Sequence, residues 1–255
     1  MEIIVLIKMV PDTVEELSID ASGKKLDDQW LRLIPNELDE HALEEALILK
    51  EKYGGTVTVY AIDAMDIDNA LFASIAKGAD KAIKIKRNID TLNILTETDI
   101  FQSILKGKKF DVIITGVQAN DDLDGNLGSF LASELNIPYL GVTTNIEFDN
   151  NSKQFIVRKA FAGGLQGEFE VPSPALLGVQ SAEKPPRYVP IAKIRKAKKG
   201  AAIEEIDSGI SELKSNVEIL QMIPPKLTKS VEYINGSSEE IAGKICDILV
   251  KEGVL

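Results

Sequence analysis

The fold is decided by residues 111–135, which read DVIITGVQANDDLDGNLGSFLASEL. The apolar, β-branched run at 112–115 predicts a buried strand, and Leu127, Leu131 and Leu135 recur at the spacing of a helix. A polar loop that contains glycines separates the two elements. In an open α/β sheet, ligands bind at the carboxyl ends of strands, and a helix that begins after such a loop offers free N–H groups to a phosphate.

The polar loop supports two interpretations. Its side chains offer more hydrogen-bond donors and acceptors than a plain connection requires: Gln118, Asn120, Asp121, Asp122, Asp124 and Asn126. This density favours a nucleotide cradle. The alternative is a polar turn with an Asp or Asn residue as the N-cap of the helix, and the loop alone favours neither.

Length and charge limit the class of protein. A chain of 255 residues, 44% of them hydrophobic, can form one large α/β domain or a domain with an extension. The net charge of −11 argues against nucleic-acid binding, which requires a basic face. No apolar run approaches the roughly 20 residues that span a bilayer. The chain begins directly with a strand and without a signal peptide, so we expect a soluble, cytoplasmic protein with no membrane span.

Cysteine and histidine exclude several kinds of site. Cys246 is the only cysteine, which rules out an intrachain disulfide and a cysteine metal cluster. It lies in an apolar, helix-spaced pattern and is expected to pack on a helix face. His41 is the only histidine and lies among carboxylates, where a surface or capping position is expected. We therefore expect no catalytic residue and no metal ligand.

Strands and helices alternate along the first half of the chain. Strands are predicted at 3–8, 56–62, 81–86 and 112–115, and helices at 36–53, 66–77 and 92–105. A polar, hairpin-like excursion with its turn at 21–24 follows the first strand. The repetition predicts a doubly wound, mostly parallel sheet. Lysine alternates with isoleucine at 81–86, which places that strand near an edge of the sheet.

The pattern changes after Pro138. Two alternating segments, 154–161 and 168–171, are joined by a glycine loop and predict a hairpin, and a further buried strand follows at 172–180. We divide the chain into an α/β nucleotide-binding domain, 1–182, and a long C-terminal arm, 183–255. Helical periodicity in the arm is visible only in its last fifteen or so residues. An arm of this length with little core of its own is expected to pack on a partner chain.

The start of the arm is strongly basic. Residues 185–200 carry six positive charges and no negative one. Apolar side chains alternate with the cations, and such an anchor with a basic rim can dock a partner that has an acidic rim. The alternative is an inert, solvated linker. The predicted docking residues are Tyr188, Ile191, Ile194, Arg195, Lys196 and Lys199.

Over nearly its whole length, the chain resembles the β subunits of electron-transfer flavoproteins. The resemblance rests on the joint order and spacing of motifs that are weak individually. They are VLIK (5–8), VPDT (10–13), NELDE (36–40), ALEEA (42–46), AKGAD (76–80), GVQAND (116–121) with Gly128, the glycines 163–164, PA (174–175), PRY (186–188) and KAKK (196–199).

The resemblance implies a domain of the adenine-nucleotide α-hydrolase-like type, paired with an α subunit that holds most of a shared redox FAD. The β subunit of such proteins binds AMP or, in electron-bifurcating members, a second FAD. Asp12 and Thr13 would lie toward the α-subunit FAD. The implied nucleotide contacts are Leu6, Asn36, Val59, Ile62, Gln118, Asp121, Asp124, Gly125, Asn126, Leu127 and Gly128.

The resemblance also implies a function. The basic segment matches the family's recognition loop, which docks a flavin-containing dehydrogenase as electron donor, with Ile191 where a leucine anchor is usual. Electrons would pass on to a quinone oxidoreductase or a ferredoxin-type acceptor, so the chain would be an electron carrier and not an enzyme.

Two alternatives stay open. Asn126 and Leu127 replace the Gln-Thr pair of AMP-binding members, which leaves AMP and a second FAD as the two possible nucleotides. The competing function is an adenine-nucleotide-binding or nucleotide-sensing protein of the same fold without a redox role, although the chain has no P-loop motif.

Overall fold

The computed structural model describes residues 1–87, 93–210, 218–224 and 231–255. Its strands are β1 (Glu2–Ile7), β2 (Met9–Pro11), β3 (Leu33–Pro35), β4 (Thr56–Ile62), β5 (Lys81–Lys86), β6 (Val112–Gly116), β7 (Tyr139–Asp149), β8 (Gln154–Ala160), β9 (Gln166–Pro172), β10 (Ala175–Val179) and β11 (Glu204–Asp207). Its helices are α1 (Glu37–Tyr53), α2 (Ile67–Lys77), α3 (Ile94–Leu105), α4 (Leu127–Leu135), α5 (Ile191–Gly200) and α6 (Ser238–Lys251).

The central sheet is doubly wound and mostly parallel, as predicted. Its nine described strands follow the order β11-β5-β4-β1-β6-β10-β7-β8-β9. The strands from β11 to β7 are parallel, and the β7–β8–β9 extension is antiparallel. Strands β2 and β3 form a separate antiparallel pair inside the excursion that follows β1.

The sheet is buried on both faces. Ile3, Val5 and Ile7 of β1 lie in the core under α1 and α2, whereas Ile4 and Leu6 lie in the core under α3 and α4. A strand that is covered on both sides needs an uninterrupted apolar run, which is why β1 and β6 are readable from sequence.

Local sequence also explains where α1 begins and ends. Its first turn holds three carboxylates and its last turn holds two lysines, an arrangement that complements the helix dipole. Gly54 ends the helix with a φ of 73°, a conformation that L side chains rarely adopt.

The winding of the sheet reverses between β1 and β6. The chain passes from β1 to β4 on one side, with α1 covering one face, and reaches β6 on the other side through α3, which covers the opposite face. In open α/β sheets, ligands bind in the crevice outside the carboxyl ends of the strands at this reversal. The loop after β6 therefore begins at the position where a ligand is expected.

The excursion after β1 turns where the sequence predicts it. Gly23 has a φ of 70°, and its N–H donates to the carbonyl oxygen of Asp20 over 3.0 Å. Met222 of the arm donates its N–H to the carbonyl oxygen of Gly23 over 2.7 Å, so the arm crosses this turn.

One expectation about the arm was wrong. Helical structure is not limited to its last residues, because α5 forms at its start. Ile191, Ile194 and Ala197 of α5 recur at helical spacing, but the run of cations between them obscures this signal. The prediction that strand 81–86 lies near an edge of the sheet is confirmed, because β5 is second from the edge and pairs with β11 of the arm. Lys84 of β5 is paired with Asp68 at 3.0 Å and with Glu205 of β11 at 2.8 Å.

The expectation that Cys246 packs on a helix face is not met within this chain. Cys246 is exposed, and none of the residues of α6 is buried against the described parts of the protein. Ser237 and Glu240 form a capping box at the start of α6, so local signals form the helix without a buried face.

The division into 1–182 and 183–255 stays a prediction, and β11 of the arm joins the domain's sheet. Residue 92, the predicted start of the third helix, lies outside the described residues, as do 211–217 and 225–230 of the arm.

Candidate functional site

Asp39 links the carboxyl ends of β1 and β6. Its Oδ2 accepts a hydrogen bond from the N–H of Lys8, and its Oδ1 accepts one from the N–H of Gly116, each over 2.9 Å. A Cβ atom on Gly116 would lie 2.5 Å from Asp39 Oδ1, so the carboxylate approaches the backbone only because this residue is glycine. The first turn of α1 is thus hydrogen-bonded to the backbone at the carboxyl ends of β1 and β6.

The carboxyl group of Asp39 titrates near neutral pH. Burial raises its pKa to about 7, against the opposing effect of hydrogen bonds from Gly116, Asn36 and Lys8, which favour the ionised form. The sequence analysis did not select Asp39, because a helix-start Asp is usually an exposed capping residue.

Asn36 joins α1 to the polar loop. Its side-chain Nδ2 donates to the carbonyl oxygen of Gln118 over 2.9 Å, and its backbone N–H donates to the carbonyl oxygen of Lys8 over 2.9 Å. The side chain of Asn36 is buried. The structure therefore brings together Asn36 and Gln118, two residues predicted to contact the nucleotide.

Lys8 holds the carboxylates of the loop and of α3. Its Nζ lies 3.1 Å from Asp121 Oδ1 and 3.3 Å from Glu97 Oε1, where Glu97 is a buried residue of the first turn of α3. Burial lowers the pKa of Lys8, but the two carboxylates raise it on balance. Burial raises the pKa of Glu97, and the positive charge of Lys8 opposes this rise.

Sequence reasoning missed Lys8 and Glu97. The available signal was a lysine directly after an apolar strand, at the edge of the sheet where ligands bind.

The loop after β6 folds back on itself. Ala119 and Asp122 exchange two backbone hydrogen bonds, and the N–H of Gly125 donates to the carbonyl oxygen of Asp122 over 3.3 Å. Gly125 has a φ of 63°, and a Cβ atom there would lie 2.6 Å from the carbonyl oxygen of Val117. Burial raises the pKa of Asp122. Gln118, Asp121 and Asp124 are exposed at the mouth of the crevice.

Helix α4 begins with free N–H groups. Asn126 precedes it without a side-chain capping bond, and the first helical hydrogen bond runs from the N–H of Phe130 to the carbonyl oxygen of Asn126 over 3.0 Å. Within the described chain, the N–H groups of Leu127 and Gly128 have no protein acceptor. They are the donors that a phosphate at a helix start would use.

Three glycines surround the ring of Tyr139. A Cβ atom on Gly128 would lie 2.7 Å from Tyr139 Cε2, and Cβ atoms on Gly141 and Gly178 would lie 2.6 Å and 2.9 Å from its hydroxyl oxygen. Burial raises the pKa of Tyr139. Gly128 therefore has a packing role that the sequence analysis did not include: it lets the start of α4 rest on the Tyr139 ring.

The predicted apolar contacts lie on two faces of the sheet. Leu6 and Ile62 share the face under α3 and α4. Val59 is fully buried on the opposite face, under α1 and α2. The structure thus brings Leu6 and Ile62 to one face and leaves only the backbone of Val59 to contact a nucleotide on that face.

Asp12 and Thr13 lie in the excursion, apart from the polar loop. The carboxylate of Asp12 accepts the N–H of Val14 over 3.1 Å and lies 3.6 Å from Arg32 Nη1, whereas Thr13 is exposed. The same excursion carries Trp30, an exposed aromatic residue.

The predicted docking residues divide between two sides of α5. Tyr188 and Ile191 are 84% and 65% exposed, and Arg195, Lys196 and Lys199 are exposed with them. Ile194 is half-buried on a helix that packs against α2. Ile194 therefore serves the protein's own packing more than a partner's.

The described residues contain no helix long and apolar enough to cross a membrane. The same residues hold no group of three or more His, Cys, Asp or Glu side chains that could bind a metal ion. His41, predicted at a surface or capping position, is half-buried within α1, and its Nδ1 accepts the N–H of Ala182 over 3.2 Å.

The family model and the relatives found by comparison with known proteins belong to the same family. The family model for the electron transfer flavoprotein domain matches residues 25–208. The electron transfer flavoprotein subunit beta of Methylophilus methylotrophus is 27% identical over 98% of both chains. The subunit beta of Thermoanaerobacterium thermosaccharolyticum is 30% identical over 100% of this chain and 95% of its own. That of Clostridium acetobutylicum is 34% identical over 76% of this chain and 74% of its own.

Proposed function

Because the chain belongs to the electron transfer flavoprotein β-subunit family, we propose that it is the β subunit of a heterodimer with an α subunit. The pair shuttles electrons from a flavin-containing dehydrogenase to a quinone oxidoreductase or a ferredoxin-type acceptor. A bound FAD, shared between the subunits, supplies the redox chemistry. This chain positions cofactors and docks partners, so it acts as an electron carrier and not as an enzyme.

The β-subunit nucleotide, AMP or a second FAD, is proposed to bind in the crevice between β1 and β6. The observation that carries this proposal is the start of α4, where the N–H groups of Leu127 and Gly128 have no acceptor among the residues that the structure describes. Asn36 holds the polar loop beside them through Gln118. Free helix-start N–H groups at the winding reversal of a doubly wound sheet fit a phosphate.

The charges of the site are compatible with an anion because Lys8 lies among the carboxylates. Lys8 pairs with both Asp121 and Glu97, and its single positive charge offsets one of the negative charges that would repel a phosphate. Asp122 has a raised pKa through burial. Leu6 and Ile62, on one face of the sheet, supply an apolar surface suited to an adenine ring.

Asp12 and Thr13 are proposed to face the FAD of the α subunit. Both belong to the excursion that follows β1; Thr13 is exposed, whereas Asp12 is buried within this chain. The neighbouring Trp30 is the only tryptophan of the chain. If the excursion packs on the α-subunit flavin, the tryptophan fluorescence of this chain will be quenched when FAD-loaded α subunit is added.

Docking of the dehydrogenase is assigned to the outer side of α5. Ile191 and Tyr188 form an exposed apolar centre, and Arg195, Lys196 and Lys199 form a positive rim. An apolar anchor fixes a partner in place, and a charged rim accelerates the encounter with an acidic surface. This arrangement supports a docking role over an inert linker.

The test of the carrier function is stopped-flow reduction of the reconstituted heterodimer. Substrate-reduced flavin dehydrogenases serve as donors, and loss of the oxidised-flavin absorbance is followed. We expect a saturable reduction that slows as salt is added, because the rim is charged. A complex that no donor reduces, although it binds adenine nucleotide, would support the nucleotide-sensing alternative.

A further inference from the structure

Residues 182–187, where the domain meets the arm, are hydrogen-bonded to side chains of α1. The N–H of Ala182 donates to His41 Nδ1 over 3.2 Å, and the N–H of Glu183 donates to Glu45 Oε2 over 2.9 Å. The contact then continues to Arg187. This segment is therefore bound to the domain by side chains of one helix.

Arg187 makes the most extensive of these contacts. Its backbone N–H donates to Glu44 Oε2 over 2.9 Å, and its guanidinium grips the same carboxylate through Nε and Nη2, at 2.9 Å and 2.8 Å. Nη1 reaches Glu51 Oε1, two turns further along α1, at 2.7 Å. These hydrogen bonds raise the pKa of Arg187. We call the set Arg187, Glu44 and Glu51 the Arg187 clamp.

The clamp differs from an ordinary surface ion pair. Glu44 is only 4% exposed, so its charge is desolvated and depends on Arg187. A forked guanidinium–carboxylate contact also fixes orientation, which a lysine contact does not. Arg187 is consequently not part of the positive rim that a partner meets.

A short, stiff connection runs from the clamp to α5. Tyr188, Val189 and Pro190 lie between Arg187 and the first residue of the helix. Pro190 is the N-cap of α5 with a φ of −60°, and the N–H of Lys193 donates to its carbonyl oxygen over 2.8 Å. The proline ring fixes φ of Pro190 and restricts Val189 before it to extended backbone, so the connection has fewer possible rotations than an ordinary linker of this length.

The far end of α5 is also held. Lys198 hydrogen-bonds the side-chain oxygen of Asn69, and its Nζ lies 5.8 Å from the centre of the Phe72 ring. Asn69 and Phe72 belong to α2, against which α5 packs. The helix is thus fixed at its start by the clamp and along its inner side by α2.

We propose that the Arg187 clamp positions α5, so that Tyr188 and Ile191 face a docking partner in one fixed orientation. The inference rests on the proposed docking function of α5. Without the clamp, the start of α5 with Tyr188 and Ile191 samples other orientations, although α2 still holds the inner side of the helix. The apparent affinity for a partner then falls in proportion to the fraction that is competent to bind. Arg187 and Glu44 are therefore positioning residues that act through Ile191, and they need not touch the partner.

The test uses the heterodimer and a substrate-reduced flavin dehydrogenase, chosen from a panel as the one that reduces the wild-type complex fastest. Arg187→Gln is expected to raise KM for the dehydrogenase about tenfold if the competent fraction falls to about one tenth, with kcat unchanged. Lys184→Gln is the matched control, since Lys184 is an exposed neighbour and the change in charge is the same. It should change KM less than about twofold, as expected for a solvated charge.

A double-mutant cycle separates positioning from an independent contribution. If the clamp acts through Ile191, Arg187→Gln should add little in an Ile191→Ala background. Hydrogen exchange of the amides of α5 should be faster in Arg187→Gln and unchanged in Lys184→Gln, because only the former releases the start of the helix. If the effects of Arg187→Gln and Ile191→Ala on KM multiply, the proposed role of the Arg187 clamp is wrong. The same holds if hydrogen exchange of α5 is unchanged in Arg187→Gln.

Two further variants distinguish the possible causes of a raised KM. Arg187→Gln leaves the buried Glu44 unpaired, so the double variant Glu44→Gln/Arg187→Gln, which buries no charge, is measured with it. The double variant should recover thermal stability and keep the raised KM. If Ile191→Ala leaves KM unchanged, the docking function and the clamp both fail. If Ile191→Ala raises KM and the clamp variants do not, only the clamp fails.

Discussion

The side-chain amide of Asn36 donates a hydrogen bond to the backbone carbonyl oxygen of Gln118, with the two atoms 2.9 Å apart. This bond joins the start of α1 to the loop after β6, across 82 residues of sequence. Two connections at the winding reversal of the sheet are therefore joined to each other.

Removal of this bond should loosen the loop. Asn36→Ala leaves the carbonyl of Gln118 without its buried donor, and a lost buried hydrogen bond costs about 1–3 kcal/mol. We expect the free energy of unfolding to fall by that amount in urea titrations, with a lower nucleotide content of the purified heterodimer. Asn151→Ala, at an exposed turn, is the control. An Asn36→Ala complex with full nucleotide content would show that nucleotide binding does not require the hydrogen bond between Asn36 and Gln118.

The titration of Asp39 gives a pH dependence with a defined sign. Its pKa is about 7 in the folded chain and near its ordinary 3.8 when unfolded, so the folded state binds more protons between these values. Stability should therefore fall as pH rises from 4 to 7. The difference of about three pKa units corresponds to a change on the order of 4 kcal/mol.

The measurement is urea unfolding of wild type and Asp39→Asn at a series of pH values. The asparagine cannot titrate, so the unfolding free energy of wild type minus that of Asp39→Asn should contain only the Asp39 contribution. This difference should fall over pH 4–7 and become constant above pH 7. A difference that does not change with pH would contradict the raised pKa. Lowering the pH below 4 should leave the Asp39 contribution constant, since both states are then protonated.

Variants at Gly128 distinguish a packing role of this glycine from a role in phosphate binding. An added methyl group at this position would lie 2.7 Å from the Tyr139 ring, so Gly128→Ala should destabilise the protein by about 1–3 kcal/mol through overpacking. The double variant Gly128→Ala/Tyr139→Leu removes the ring and should recover part of the loss. If the double variant recovers stability and still lacks nucleotide, the glycine serves both roles. Recovery of stability and nucleotide together would assign it to packing alone.

Ile191 and Ile194 form a matched pair for the docking assignment. Ile191→Ala should raise KM for the donor dehydrogenase with little change in melting temperature or flavin content, because this side chain is mostly exposed. Ile194→Ala should lower stability by about 1–2 kcal/mol, since it truncates a half-buried side chain between α5 and α2. Loss of flavin in Ile191→Ala would overturn the docking assignment.

Much of the fold could be predicted because its signals are local. Continuous apolar runs identify β1 and β6, and helical spacing of Leu127, Leu131 and Leu135 identifies α4. The order of these elements then predicts a doubly wound sheet, which the structure confirms.

The features that sequence reasoning missed depend on distant partners. Lys8 acquires its role from Glu97 and Asp121, which only the folded sheet brings within 3.3 Å and 3.1 Å of it. Similarly, β11 is a strand because it pairs with β5, from which more than 100 residues separate it. No local pattern distinguishes Ile194, which packs inward, from Ile191, which is exposed, because both belong to the same basic run.

The nucleotide content of the complex tests the central claim most directly. The chain is co-expressed with its α subunit, the purified heterodimer is denatured, and the released nucleotides are identified by chromatography and counted per heterodimer. We expect two nucleotides: either one FAD and one AMP, as in a conventional carrier, or two FAD and no AMP, as in a bifurcating one. A single FAD with no second nucleotide would contradict a nucleotide site at the start of α4.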